Sequence, residues 1–315
     1  MDNEAAYDVV VIGGGPAGLS GALALGRARR SVLVVDAGQP RNAPAAHAHN
    51  YLGREGTPPR ELLAIGRGEV EQYGVSVVED VARGASRRAD GAFTVTLGER
   101  SVAARRLLVT AGAVDALPSV AGVAEEWGRS VLHCPYCHGW EVRDQAIGVL
   151  ATNAFAVHQA LTFRQWSSDI VLFQHTAPPL GDDDAEQLAA CGIEVVDGEV
   201  AAWEPGGARL ADGTLVPRQA LVVASEVHAQ LDVLAPLGLA ATDFEMAGAV
   251  VATFVDHDPT GLTAVPGVWV AGNVADPRAQ VISSAAAGLA AGAAINGDLI
   301  AEDVRLAVER RREQP

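Results

Sequence analysis

Lysine does not occur in this chain: all 23 basic residues among its 315 are arginine. Without an ε-amine there is no Schiff-base lysine and no phosphate-loop lysine, which excludes pyridoxal-phosphate chemistry and Walker-type nucleotide hydrolysis. A basic surface is missing as well. The 39 acidic residues give a formal net charge of −16, a field that disfavours nucleic-acid partners. Aromatic residues are 5% of the chain, so Ala, Val and Leu must supply most of the core packing. The N-terminus, MDNEAAYD, carries no basic n-region and no apolar h-region, so no secretory signal is expected. The longest apolar run, Val281 to Ile300, is mostly Ala and Gly and contains Asn296, Gly297 and Asp298. It reads as a buried helix, not a membrane span. A cytoplasmic protein is expected, without membrane or nucleic-acid partners. Cysteine occurs three times. Two form a C-x-x-C pair, which in a cytosolic chain reads as redox or metal chemistry. Cys191, between an alanine pair and Gly192, reads as a core residue.

The length is a prior for about two domains. An apolar strand at 7–12 (YDVVVI) runs into a glycine turn at 13–18, a helix over 19–28 and a second strand over 31–38, the opening of a dinucleotide-binding fold. After a Pro- and His-rich stretch from Gln39 to Pro59, a helix is predicted over 60–73 and strands at 75–81, 92–97 and 105–110. A second strand–helix–strand unit occupies 146–152, 153–166 and 169–174. It continues with a helix over 182–191, a strand at 193–198, a hairpin turn at 211–214 and a strand at 220–225. VPGVWVAGN (265–273) returns to a strand and turn before a small-residue helix over 279–297. The fold class is α/β: two Rossmann-like nucleotide-binding domains of the three-layer ββα type, one inserted in the other. Residues 1–117 and 246–315 are assigned to the outer domain and 118–245 to the inserted one.

Gly13-Gly14-Gly15-Pro16-Ala17-Gly18 fits G-x-G-x-x-G in the context that gives this motif meaning. Its first glycine makes the turn, the second lets a pyrophosphate approach backbone N–H groups, and the third allows close helix–strand packing. The helix N-terminus favours negative charge. Asp36, at the end of the next strand, is placed to hold ribose hydroxyls.

In LHCPYCHGWE (132–141), two residues separate Cys134 from Cys137, which puts the sulfurs within disulfide reach at a helix start. His133 and His138 flank the pair and can move protons near neutral pH. A dithiol that loses two protons and two electrons needs such a base. Two other readings compete. One is a zinc site, although each histidine is adjacent to a cysteine and such neighbours rarely close one tetrahedron. The other is an inert buried pair.

VVIGGGPAG (10–18), LLVTAGA (107–113), CPYC (134–137), VPGVWVAGN (265–273) and AQVISSAAAG (279–288) together resemble the low-molecular-weight thioredoxin reductase family over essentially the whole chain. The resemblance implies an FAD domain built from both chain ends, an inserted NADPH-type domain carrying the cysteine pair, and a homodimer. It places Gly13, Gly15, Gly18 and Asp36 at the ADP half of FAD, with Pro16, Ala17, Ala37 and Arg41 also at the cofactor and Gly112 near it. Gly272 and Asn273 would face the ribityl and phosphate groups. Ala279, Gln280 and Val281 would line the flavin ring, with Asn50 nearby. Cys137 would face the flavin and Cys134 exchange with substrate.

Departures from the reductase pattern redirect the functional reading. His138 follows the second cysteine where reductases have Asp, and CPYCHGWE is closer to the dithiol oxidases that close the disulfides of gliotoxin and holomycin. An imidazole there accepts a thiol proton at neutral pH. The nucleotide turn of the inserted domain is read at Gly148-Val149-Leu150-Ala151-Thr152-Asn153, with the Leu150 side chain expected to obstruct a pyrophosphate. Gln174-His175-Thr176 stands where an arginine cluster would receive a 2′-phosphate. Asn273 replaces the usual Asp and still offers an acceptor oxygen. The expected function is oxidation of a small-molecule dithiol by FAD and O2. The alternatives are an NADPH- or ferredoxin-dependent disulfide reductase acting on a thioredoxin-like protein, and a flavin-binding protein of structural or regulatory role. His47 and His49 read as surface histidines more readily than as pocket residues. Trp140 and Glu141 either shape the entrance or cap the helix after the cysteines.

Overall fold

The computed structural model describes residues 6–246 and 248–314; the segment MDNEA, read above for a signal, lies outside the described residues. β1 (Ala6–Ile12) passes through the glycine turn into α1 (Pro16–Arg27) and β2 (Val32–Asp36). α2 (Pro59–Glu71) and β3 (Ser76–Glu79) follow, then a meander of β4 (Gly84–Arg87), β5 (Phe93–Thr96) and β6 (Ser101–Val109). The sheet order is β3-β2-β1-β6-β5-β4, with β1 parallel to β2 and β6. Val9, Val10 and Val11 are all fully buried, as a central parallel strand covered on both faces requires. Val10 faces a core with Phe93 and Leu107, while Val9 and Val11 face α1 and the C-terminal helix.

The chain leaves this body through β7 (Ala113–Ala116). β8 (Val131–Leu132) leads into the short helix α3 (Pro135–His138). β9 (Ile147–Leu150), α4 (Phe155–Phe163), β10 (Ile170–Phe173), α5 (Asp182–Ala190) and β11 (Glu194–Val196) build the second body. An antiparallel layer of β12 (Val200–Glu204), β13 (Gly207–Leu210) and β14 (Leu215–Pro217) covers it, and β15 (Ala220–Val223) completes its parallel sheet, ordered β11-β10-β9-β15-β8. These are two Rossmann-like domains, each a parallel sheet with helices on one side and antiparallel strands associated with it.

The return runs through β16 (Glu226–Ala229), which pairs antiparallel with β7, so the two crossings lie side by side. β17 (Thr242–Met246) and β18 (Ala249–Phe254) extend them to a four-stranded sheet, and Leu231, Val233 and Leu234 already pack on the first core. β19 (Val268–Val270) then joins β6 in parallel, restoring the first sheet from the far end of the chain.

α6 (Val281–Glu313) runs well past the expected end at residue 297. Its C-terminal half is held by ion pairs: Arg105 with Glu302 and Asp303, Arg106 with Asp298, and Arg30 with Asp303. By length and composition this helix could cross a membrane, but Ser284, Gly288, Ala291, Gly292 and Ile295 are buried in the protein. A Cβ on Gly288 would lie 1.9 Å from the Ala17 carbonyl oxygen, so α1 and α6 touch backbone to backbone.

Candidate active site

The glycine turn has the geometry that its sequence implies. Gly13 has φ +102°, and a Cβ there would sit 2.3 Å from the Thr110 carbonyl oxygen. A Cβ on Gly18 would sit 1.9 Å from the Gly13 oxygen. These two positions demand glycine for reasons internal to the chain. Gly15 is different: nothing lies within 4 Å of its would-be Cβ, and its φ of −75° suits any residue. Packing gives no reason for glycine there, whereas a group lying against the backbone does. Gly15 is also the N-cap of α1, whose first amides have no partner within the helix.

Asp36 closes this end. Its carboxylate accepts from the Gly14 N–H at 3.1 Å and from the Arg67 guanidinium, a partner on α2 that the sequence did not signal. Ala37 is exposed and lies outside the cavity lining, and Gly18 serves packing.

One cavity of about 650 Å³ joins the turn, Asp36 and Arg41 to the cysteine pair. Gly112, Gly272 and Asn273 line it, as do Ala279, Gln280 and Val281 at the start of α6. The Asn273 Nδ2 donates to the carbonyls of Asp276, Pro277 and Ala279, which shapes the turn before α6 and turns the amide oxygen to other partners.

Cys134 and Cys137 form a disulfide, with Cα atoms 5.3 Å apart, and both line this cavity. Cys134 is the N-cap of α3. Asn50, held at φ +61°, lies outside the lining but donates through Nδ2 to the Tyr136 carbonyl at 2.6 Å, which pins the helical turn between the cysteines. His49, read as a surface histidine, lines the cavity together with His47. Its Nδ1 meets Glu55 at 2.6 Å and its Nε2 approaches Glu141 at 3.4 Å. The loop before Asn50 is thus docked on the cysteine segment, which local sequence could not show. Trp140 stays exposed under the Arg143 guanidinium, 4.1 Å from its ring.

The two flanking histidines are electrostatically distinct. Burial holds His138 below the ordinary imidazole range; Glu141 opposes this and His49 adds to it. Burial pushes His133 down to about 4; Arg41 acts in the same direction and Asp115 against it. His133 stacks on Trp127 with ring centroids 5.2 Å apart. Both imidazoles are neutral at pH 7, the state in which a histidine accepts a proton. Arg41 reaches Asp115 through two hydrogen bonds of 2.7 Å, and Ser225 donates to the same carboxylate at 2.8 Å. Burial alone would raise Asp115, but Arg41 holds it below the usual carboxylate range.

The second domain corrects one reading. Leu150 does not obstruct a nucleotide: it is the last residue of β9 and is fully buried in the core with Val131, Val171 and Phe173. The turn equivalent to Gly13–Gly15 follows it, at Ala151, Thr152 and Asn153, and contains no glycine. Asn153 instead accepts the Phe155 N–H at 3.0 Å. At the tip of β10, His175 has φ +44° and accepts the Val200 N–H through Nδ1. Cys191 packs partly buried on the second core.

A reactive disulfide set with a neutral imidazole on a dinucleotide-type cavity, between two Rossmann-like domains, defines a disulfide oxidoreductase. The chain belongs to the pyridine nucleotide-disulphide oxidoreductase family, whose description matches residues 7–292. Within that family it is thioredoxin reductase-like. It is 31% identical to "Thioredoxin reductase sirT" of Leptosphaeria maculans over 326 residues, covering 95% of this chain and 96% of the relative. A second relative, "Probable thioredoxin reductase" of Arthroderma benhamiae, is 34% identical over 178 residues, 54% of this chain, and the match spans only 44% of its own length. The solved structure of HlmI superposes with a TM-score of 0.90 at 42% identity, covering 99% of this chain and 98% of that one.

Proposed function

We propose that this oxidoreductase uses FAD to oxidise a small dithiol to a disulfide through Cys134 and Cys137, with molecular oxygen as terminal acceptor. The observation that carries the reading is the pairing of an intact glycine turn, in the cavity that the disulfide also lines, with a glycine-free turn in the second domain. Gly13, Gly15 and the α1 N-terminus fit the pyrophosphate of FAD, Asp36 its ribose, and the Asn273 amide oxygen a ribityl hydroxyl. Ala279, Gln280 and Val281 fit its ring. Held by these residues, FAD would supply a two-electron acceptor for the reduced cysteine pair, with oxygen as the terminal oxidant and hydrogen peroxide as its product.

The protein's own residues do the sulfur and proton work. One substrate thiol loses its proton to His138 and attacks Cys134 Sγ. The Cys134–Cys137 bond breaks, a mixed disulfide forms, and Cys137 leaves as a thiolate. The second substrate thiol gives its proton to His138, once the first proton has left, and attacks the substrate sulfur of the mixed disulfide, closing the product disulfide and releasing Cys134 as a thiolate. The substrate has then lost two electrons and two protons, and the cysteine pair holds the electrons. Glu141 and His49 stand behind His138 as a route for its proton.

Anaerobic mixing tests this reading. A dithiol is expected to bleach the yellow flavin, and NADPH to leave it oxidised. Rapid bleaching by NADPH, coupled to a protein disulfide, would select the reductase reading instead. We also propose that the protein is a cytoplasmic homodimer. Ile300, Val304 and Val308 on α6 form an exposed apolar stripe suited to a second copy, and light scattering at twice the chain mass is expected.

A further inference from the structure

We infer that Gln159 heads a substrate subsite beside Cys134, and that the dithiol it receives is uncharged and carries an N–H or O–H donor. This rests on the dithiol-oxidase reading and extends it to substrate class. The site lies at the C-terminal ends of β8 and β15, where Gln159 reaches the carbonyls of His133, directly after β8, and Val223, the last residue of β15. These strand tips open into the same cavity as the disulfide. Phe155, His158, Gln159 and Thr162, one face of α4, line it.

Gln159 is 5% exposed. Its Nε2 points at the carbonyls of His133 and Val223, each at 3.4 Å, which commits the nitrogen end to the strand tips. Its Oε1 has no hydrogen-bond partner. A buried acceptor left unmade is costly and calls for a donor. His133, one of the two residues whose carbonyls Gln159 contacts, directly precedes Cys134, and Gln159 and Cys134 line the same cavity. Two stacked pairs line the same cavity, Trp127 with His133 and Phe155 with His158, their centroids 5.2 and 5.1 Å apart. None of these residues is a carboxylate or guanidinium, and the nearby Arg41 and Asp115 satisfy one another. A charged substrate gains nothing here and loses its hydration.

Dithiothreitol and butane-1,4-dithiol differ only in two hydroxyls and serve as the probes. The wild type is expected to favour dithiothreitol in KM by on the order of tenfold. In Gln159→Leu the KM ratio is expected to fall within about twofold of one. Gln159→Met, equal in length to the native side chain, repeats the measurement should the leucine variant fail to fold. A ratio unchanged in the variants would overturn the subsite while leaving dithiol oxidation standing. Failure of the wild type to oxidise either dithiol would overturn the oxidase reading and the subsite together.

Discussion

His138 and His133 show how two neighbours of one disulfide acquire different duties. The pKa of His138 is displaced below 6.5, so the imidazole is a free base throughout the neutral range and becomes unavailable only in acid. The rate of dithiol-driven flavin bleaching is therefore expected to lose its His138 contribution only in acid, below the ordinary imidazole value of 6.5. His138→Gln should lower it by about 10²- to 10⁴-fold and remove the acid limb; a limb that persists would assign the titration elsewhere. His133 contributes to stability. Its folded pKa of about 4 lies below the unfolded value near 6.5. Between these the unfolded chain binds the extra proton, so stability is complete above pH 6.5 and is lost as pH falls toward 4. The loss is bounded at about 3 kcal/mol. Thermal melts across that window should show it, and His133→Phe should flatten the dependence.

At the scale of elements, the α1–α6 contact is the joint on which the cofactor end depends. Both helices begin at the cavity, and Gly21, Gly288 and Gly292 let their backbones meet. Gly288→Val is expected to force them apart, destabilise the protein by at least about 2 kcal/mol and weaken flavin retention, measurable by urea unfolding and by absorbance after gel filtration. The helices and parallel strands that flank this joint were legible because each carries its own period and turn chemistry. The glycine turn, Asp36 and the cysteine pair were legible for the same reason: their chemistry is local. What the sequence hid is long-range. Arg67 meets Asp36 from another helix, and His49 meets Glu141 across 92 positions of chain. β16, β17 and β18 are short and partly polar and acquire strand character only by pairing with β7 and with each other. The extension of α6 beyond residue 297 depends on arginines from three distant positions. Gly148, three residues before the second nucleotide turn, mimics that turn's glycine in sequence, but a Cβ on it would meet Phe173 at 2.5 Å, so this glycine serves sheet packing.

For the molecule as a whole, function requires that the second domain present the disulfide to the first. The chain crosses between them twice, by β7 and β16, and Asp115 on the first crossing is bound both by Ser225 at the start of the second and by Arg41 from the loop after β2. The Arg41–Asp115 pair thus ties both crossings to the first domain at one point. Asp115 has a side-chain exposure of 7%, so removing Arg41 leaves a buried carboxylate without its charge partner, a change that costs about 3–5 kcal/mol in comparable pairs. Arg41→Met is expected to lower the melting temperature by several degrees and to slow dithiol-driven flavin bleaching more than it weakens flavin binding. Adding Asp115→Asn removes the stranded charge. The double variant should therefore recover much of the lost stability, because an amide can keep the Ser225 bond, while the slow bleaching persists because the tie between domains is still broken. Equal loss of stability in the single and double variants would mean that Arg41 acts through the cofactor and not through the crossing strands.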